Sequence, residues 1–193
     1  MLKKELLALA EREVDLIEKL GGPWTPEEYE KIVEANTVIH NKYVDMAIEN
    51  PEELEPLKRA IYMQWIGMIE PKVNTAIDGL DPEKEKNAIE MLNYNLYNGN
   101  VDKEFLSMVQ IYYMITDWFT DYSKADNKYL KQFFKEIDQL KRKKLQEYGM
   151  LSGHYKEFDY DRRGGMGRYF KEHYVNENAF KAYENVRKKW DKK

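Results

Sequence analysis

The sequence contains no cysteine, which excludes disulfide bonds, thiolate metal sites and thiol catalysis. This absence suits a reducing compartment. No apolar run approaches the roughly 20 residues that a membrane-spanning helix needs. Near the N-terminus, the apolar stretch 6–10 is too short for a signal peptide, and charged residues follow it directly. We therefore expect a cytoplasmic protein that makes no use of a membrane.

Histidine is also scarce, and its placement argues against a metal centre. Di-metal helical bundles use a Glu-x-x-His spacing, and the HExxH motif is a second common zinc-binding pattern. Neither pattern occurs here, so we expect no metal and no cofactor. The three histidines and the residues three positions before them are His40 with Thr37, His154 with Leu151, and His173 with Phe170.

Apolar and aromatic residues are plentiful, and they favour a folded helical protein. The 193 residues include 7 Phe, 15 Tyr and 4 Trp. A chain of this length buries roughly 70% of the surface that its unfolded form exposes, so it can form a core without cross-links. Apolar residues recur every three to four positions, and no alternating pattern of strand length is visible. We predict an all-α bundle of about six to eight helices in a single domain.

Several helix boundaries follow from local signals. The segment from Thr25 to Glu28 combines a capping residue, Pro26 at the first helical position and a glutamate that can close a capping box. Asp102 is placed to cap a later helix, and Gly99 to end the one before it. Pro71 is predicted to break or end the third helix near Glu70. The first helix is predicted over residues 2–20. Its expected apolar stripe consists of Leu7, Ala10, Val14 and Ile17.

The second half of the chain divides into regular and irregular parts. Residues 105–119 are apolar nearly all round, which predicts a central helix. A helix with a strongly basic polar face is predicted over 127–148, and a last helix over 169–190. Between them, the glycine-rich and aromatic segment 149–167 has no period and reads as an irregular loop. We predict a bundle core over 1–148 and an irregular loop plus C-terminal helix over 149–193, packed on the same domain.

Charge is distributed unevenly along the chain. The formal net charge is -4, but residues 1–100 carry 20 Asp/Glu against 11 Lys/Arg, whereas residues 101–193 carry 20 Lys/Arg against 15 Asp/Glu. The two halves can attract each other across the fold, or the basic half can face an anionic partner. Alternatively, these side chains are ordinary solvated helix faces, which is the more common role of charged runs.

A first candidate site groups polar side chains that helical spacing places among apolar ones. Asn36 and His40 share a face of the second helix, and a buried histidine can act as a base or ligand near neutral pH. Asp117 and Asp121 lie one turn apart, so their carboxylates can bind a cation or transfer protons. The alternative is that the first pair is hydrogen-bonded within the core and the second pair is solvated.

A second candidate site lies in the loop 152–168. His154, Arg162, Arg163 and Arg168 surround three glycines there. Arginine can bind phosphate or carboxylate through paired hydrogen bonds, and glycine lets backbone amides approach an anion. We therefore predict a ligand-binding or anion-binding site, with an ordinary surface loop as the alternative. A further stretch that alternates Asn with aromatic residues, 93–100, can line a polar pocket or a partner surface, or is more simply a fraying helix end.

No motif in the sequence names a reaction, so whether the chain is an enzyme stays open. Our leading hypothesis is a non-enzymatic helical binding or protein-interaction protein. Its expected partner is a protein or a small anionic ligand, with nucleic acid a less favoured alternative. The rival hypothesis is a small-molecule-binding protein or enzyme with a pocket between the second helix, the central helix and the 152–168 loop.

Overall fold

A computed structural model describes residues 2–116, 127–144, 163–166 and 178–190. Within these ranges the protein is all-α and contains no strand, which confirms the predicted fold class. A single helical turn covers residues 164–166. The helices are α1 (Leu2–Leu20), α2 (Pro26–Glu49), α3 (Leu54–Ile69), α4 (Lys72–Thr75), α5 (Pro82–Asn98), α6 (Lys103–Ile115), α7 (Lys128–Lys144) and α8 (Asn178–Trp190).

The described residues belong to two compact units. Residues 2–91 and 163–166 form the first unit, which contains α1 to α4 and the beginning of α5. Residues 92–116, 127–144 and 178–190 form the second, which contains the end of α5 with α6, α7 and α8. In the part of the chain that is described, no helix is both long enough and apolar enough to cross a bilayer.

Helix α1 has the predicted length, but its buried face differs from the predicted stripe. Of that stripe, only Ala10 is buried; Leu7, Val14 and Ile17 are half-exposed. The buried line runs one position earlier along most of the helix, because the neighbouring helices cover that side. The residues on this line are Leu6, Leu9, Ala10, Glu13 and Leu16.

Helix α2 begins with the predicted capping box. The Glu28 amide donates to Thr25 Oγ1 at 3.2 Å, and the Thr25 amide donates to Glu28 Oε2 at 2.7 Å. Pro26 occupies the first helical position, where its missing N–H leaves no helical bond unmade. The buried face that follows consists of Ile32, Asn36, Ile39, His40, Tyr43, Val44, Met46 and Ala47.

Helix α3 is the most completely buried element of the first unit. Residues 56–66 are all buried, including the fully enclosed Trp65. The helix ends at Ile69, two residues before Pro71, in agreement with the predicted break. Helices α2 and α3 pack along one another, and α1 packs on α2, so the core of the first unit lies around α3.

Helix α6 occupies the centre of the second unit, as predicted for the apolar segment. The Asp102 carboxylate accepts the Phe105 amide at 2.7 Å and caps the first turn. Residues 104–110 and Tyr112 are buried, whereas Ile115 in the last turn is 54% exposed. Both α7 and α8 pack against α6. The last residues of the predicted segment, 117–119, lie outside the described residues.

Candidate functional site

Asn36 occupies a structural position in the first unit. Its amide nitrogen donates to the carbonyls of Thr75 at 3.2 Å and Ala76 at 3.1 Å. Ala76 adopts a left-handed conformation with φ 49° at the end of α4, and this costs energy in a residue other than glycine. The two bonds from Asn36 therefore hold a strained turn in place, and its donor groups are already used.

His40 is enclosed in the same core and is electrically neutral. The Gln64 amide nitrogen lies 3.0 Å from His40 Nε2, so Gln64 donates and Nε2 accepts. The other ring nitrogen, Nδ1, lies 3.4 Å from Asn41 Oδ1 and carries the hydrogen. Burial lowers the pKa of His40 to about 4. The side chain is thus a neutral hydrogen-bonding group of the core at physiological pH.

This protonation state makes a direct prediction. In long-range ¹H–¹⁵N spectra of its imidazole, His40 is expected to keep the pattern of the neutral Nδ1–H tautomer from neutral pH down to about pH 4. The same histidine in urea-unfolded protein provides the control, with a midpoint near the ordinary value of about 6.5. A midpoint near 6.5 in the folded protein would show that water reaches the ring.

Three of the predicted site residues lie within the described ranges, and each binds a different neighbour. Asn36 and His40 share a face of α2 but bind separate neighbours, in α4 and α3 respectively. Of the predicted anion-binding residues, Arg163 is described, and it binds Glu55 through Nε at 2.9 Å and Nη2 at 2.6 Å. Five further predicted residues lie outside the described residues: Asp117, Asp121, His154, Arg162 and Arg168.

The buried carboxylate of Glu13 in α1 was not predicted from the sequence. Glu13 is almost fully enclosed; its carboxylate accepts the Tyr43 hydroxyl at 3.2 Å and the Gly165 amide at 2.8 Å. Burial raises the pKa of Glu13 to about 7, although these hydrogen bonds and the Arg59 guanidinium favour the charged form. One signal was present in the sequence, since Glu13 stands three residues after Ala10 and three before Leu16, in phase with the buried face.

The second unit carries a cluster of aromatic rings surrounded by cations. Tyr97 and Tyr129 stack with ring centroids 4.4 Å apart, and Trp190 meets Tyr129 edge to face at 4.3 Å. The Lys128 ammonium lies 6.0 Å from the Tyr129 ring, and the Arg187 guanidinium lies 6.0 Å from the Trp190 ring. We call these five residues the aromatic–basic face.

The ends of three helices meet at this face because specific hydrogen bonds hold them there. Asn93 in α5 accepts the amides of Tyr129 and Leu130 at 3.1 and 3.2 Å, so it caps the first turn of α7. Arg187 in α8 donates to the Tyr97 carbonyl at 2.7 Å. This Asn-rich stretch is a helix end, which was the simpler prediction, because α5 ends at Asn98 before Gly99 with φ +77°. Within it, Asn93 also joins α5 to α7.

The helices around the aromatic–basic face are strongly basic. Helix α7 holds seven Lys/Arg against two Asp/Glu, and α8 holds four against one. Lys135 and Lys188 are exposed on these helices, and Lys189 reaches Glu136 at 2.5 Å while remaining 63% exposed. Tyr97 is 50% exposed, and its helical neighbour Tyr94 is 51% exposed. The cations that lie beside the rings themselves are Lys128 and Arg187, and Tyr97 is the most accessible ring of that cluster.

A cleft of about 560 Å³ lies between α7 and α8, beside the aromatic–basic face. Val186 and the Trp190 ring supply its apolar surface, while Lys135 and Lys189 supply positive charge. Glu136 contributes a carboxylate that accepts from Asn185 at 3.1 Å as well as from Lys189. The remaining lining residues are Gln132 and Gln139. The cleft is large enough for one or two side chains of a partner or for a small molecule.

Among the described residues, no three His, Asp or Glu side chains converge closely enough to hold a metal ion. The aromatic–basic face and its adjoining cleft bring aromatic rings, cations and an open cavity together, while the Asn36 and His40 side chains serve the core. No family model, no curated protein and no solved structure matches this chain.

Proposed function

We propose that this chain is a non-enzymatic binding protein whose aromatic–basic face receives an acidic segment of a partner protein. The observation that carries the proposal is the cluster of Tyr97, Tyr129 and Trp190 flanked by the cations of α7 and α8. Protein interfaces are enriched in Tyr, Trp and Arg, because these side chains combine apolar area with hydrogen bonding. A cytoplasmic location belongs to the same proposal, since a cysteine-free chain suits a reducing compartment.

The chemistry of the face selects the partner. Lys135 and Lys189 favour carboxylates at the edge of the cleft, where positive charge also speeds encounter. Val186 and the Trp190 ring favour an apolar or aromatic side chain inside it. A segment that alternates acidic with aromatic residues satisfies both requirements at once. A ligand that carries only anionic groups would make no apolar contact with Val186 or the Trp190 ring.

A nucleic acid is a weaker candidate for the same surface. Single-stranded nucleic acids bind where aromatic faces are open for base stacking. Here Tyr97 stacks on one face of Tyr129, and Trp190 packs against the same ring in an edge-to-face arrangement. Neither contact leaves Tyr129 fully open for a base.

The alternative function is a small-molecule-binding protein or enzyme that uses the predicted polar pocket. Asn36 and His40 give it little support, since both side chains are buried and hydrogen-bonded to their own chain. A small anionic ligand in the cleft between α7 and α8 remains the closest rival to a protein segment, because both would use Lys135 and Lys189.

The test compares three probes on the full chain. A fluorescein-labelled synthetic peptide of alternating Glu and Phe, a labelled single-stranded oligonucleotide and inorganic pyrophosphate are titrated at low salt. We expect the peptide to bind, and Lys135→Glu combined with Lys189→Glu to weaken that binding by about tenfold or more. Fluorescence anisotropy measures the labelled probes, and calorimetry measures pyrophosphate.

The matched control moves the same charge change to another surface. Lys3→Glu with Lys4→Glu reverses two exposed cations on α1, and we expect the peptide affinity to stay within about twofold. Equal loss in both variants would show a nonspecific charge effect and overturn the proposal. Tight binding of the oligonucleotide or of pyrophosphate, with no binding of the peptide, would replace the proposed partner with the corresponding anion.

A further inference from the structure

The segment 163–166, which contains two glycines, contacts the carboxylates of Glu13 and Glu55 in the first unit. Arg163 binds Glu55 with two hydrogen bonds, from Nε at 2.9 Å and from Nη2 at 2.6 Å. Two residues later, the Gly165 amide donates to Glu13 Oε1 at 2.8 Å. Gly164, Gly165 and Met166 are all buried at this contact. The segment therefore occupies its place through a guanidinium, a backbone amide and close packing.

The space around Glu13 admits no side chain at either glycine unless the carboxylate or the segment moves. Gly164 has φ +62°, a left-handed conformation that favours glycine, and a Cβ there would lie 2.4 Å from Glu13 Oε2. A Cβ on Gly165 would lie 2.7 Å from Glu13 Oε1 and 3.1 Å from Ile17 Cδ1. Any larger residue would thus displace the carboxylate or the segment, so the contact discriminates between glycine and alanine.

The two carboxylates are also oriented by residues that do not belong to the segment. Tyr43 in α2 donates its hydroxyl to Glu13 Oε2 at 3.2 Å. Arg59 in α3 donates from Nε to Glu55 at 2.9 Å and from Nη1 to the Tyr43 hydroxyl at 3.3 Å. Such supporting hydrogen bonds fix the geometry of a binding site before its ligand arrives.

We propose that Glu13 and Glu55 form a binding site for an Arg-Gly-Gly segment of a polypeptide. In the structure described here, residues 163–165 of the same chain occupy it. A separate protein that carries this tripeptide binds the site when the chain's own segment is displaced. The Glu55 carboxylate recognises the arginine, and Glu13 together with the limited space around it recognises the two glycines. This proposal is independent of the aromatic–basic face.

Competition with the chain's own segment sets the conditions of the test. A tethered segment has an effective concentration of about a millimolar, so an external peptide binds poorly while the site is filled. The combination Arg163→Ala with Gly165→Val removes the guanidinium and introduces a side chain that collides with Glu13. This emptied variant leaves Glu13 and Glu55 unchanged.

The probe, called the native peptide, is fluorescent and has the sequence of residues 161–168. Its control, the alanine peptide, has alanine at the positions of Gly164 and Gly165. The two peptides carry the same charge, so general attraction to an acidic protein cancels. We expect the emptied variant to bind the native peptide at least about tenfold more tightly than the alanine peptide. Adding Glu55→Gln to that variant weakens the acceptor of the arginine, so it should lower the affinity for the native peptide by about tenfold or more. Equal binding of both peptides, or none, by a variant that circular dichroism shows to be folded would overturn the proposal.

A second measurement uses the unmodified chain, in case the emptied variant does not fold. Excess native peptide is added, and the Gly165 amide is followed in ¹H–¹⁵N spectra. Displacement of the chain's own segment is expected to move this resonance away from its hydrogen-bonded position, whereas the alanine peptide leaves it in place. An unchanged Gly165 resonance with the native peptide at millimolar excess would contradict the proposal.

Discussion

Replacing Arg59 with methionine is expected to destabilise the protein by about 3–5 kcal/mol, the range found when one member of a buried ion pair is removed. Arg59 is almost completely buried in α3. Its guanidinium donates to Glu55 at 2.9 Å, to the Leu6 carbonyl at 3.2 Å and to the Tyr43 hydroxyl at 3.3 Å. Methionine keeps the apolar stem but removes this donor from the Leu6 carbonyl and the Tyr43 hydroxyl. It also removes the cation nearest Glu13 and leaves Glu55 with Arg163 alone.

Urea denaturation followed by circular dichroism at neutral pH measures this loss. The control is Lys31→Met in α2, which removes another cation paired with a glutamate four residues away. Lys31 is 67% exposed, so its pair with Glu27 contributes less than about 0.5 kcal/mol. A loss of under about 1 kcal/mol for Arg59→Met would contradict the prediction, since it would mean that water or a proton compensates the carboxylates.

Helix boundaries were predictable because their causes lie within a few residues of each other. Thr25 and Glu28 exchange hydrogen bonds across three positions, and Asp102 caps the amide of Phe105 at the same spacing. Pro71 ends α3 because it has no N–H to donate and its ring disfavours a helical conformation at the preceding residue. Such local signals need no knowledge of the neighbouring helices, and the structure confirms them.

Glu13 was not predictable because the partners that allow its burial are distant in sequence. Tyr43 lies 30 residues away and Gly165 lies 152 residues away. A glutamate in a helix is normally exposed, and only its phase with Ala10 and Leu16 hinted otherwise. The same limitation explains the shifted face of α1, because the side that becomes buried depends on where the other helices pack.

Arg163 shows a third case, in which the type of contact was predictable but the partner was not. Arginine among glycines predicted recognition of an anion. In the structure the guanidinium binds the Glu55 carboxylate of its own chain. Sequence spacing carries no information on this pairing across 108 residues. An external anion at Arg162 or Arg168 remains a prediction, as both lie outside the described residues.

Protonation of Glu13 is expected to make the stability of the protein depend on pH. Tyr43 from α2, Arg59 and Glu55 from α3, and the Gly165 amide all face its carboxylate or act on its charge. Burial outweighs the favourable contacts and raises the pKa from 4.5 to about 7. The folded state therefore binds more protons than the unfolded state between these values. The contribution of Glu13 is most favourable below pH 4.5 and is lost as the pH rises through 7.

The variant Glu13→Gln isolates this contribution, because glutamine can still accept the Gly165 amide but cannot ionise. The free energy of unfolding of the variant, minus that of the parent, is expected to increase by about 3 kcal/mol between about pH 4.5 and 8. Urea titrations at each pH measure this difference.

The lowered pKa of His40 and the raised pKa of Glu85 act equally in both proteins and cancel in the difference. Glu11→Gln, at an exposed position of the same helix, controls for the loss of a formal charge. A difference that stays constant over the range would mean that Arg59 keeps Glu13 ionised throughout, and the carboxylate would then be a permanent anion for the 163–166 segment.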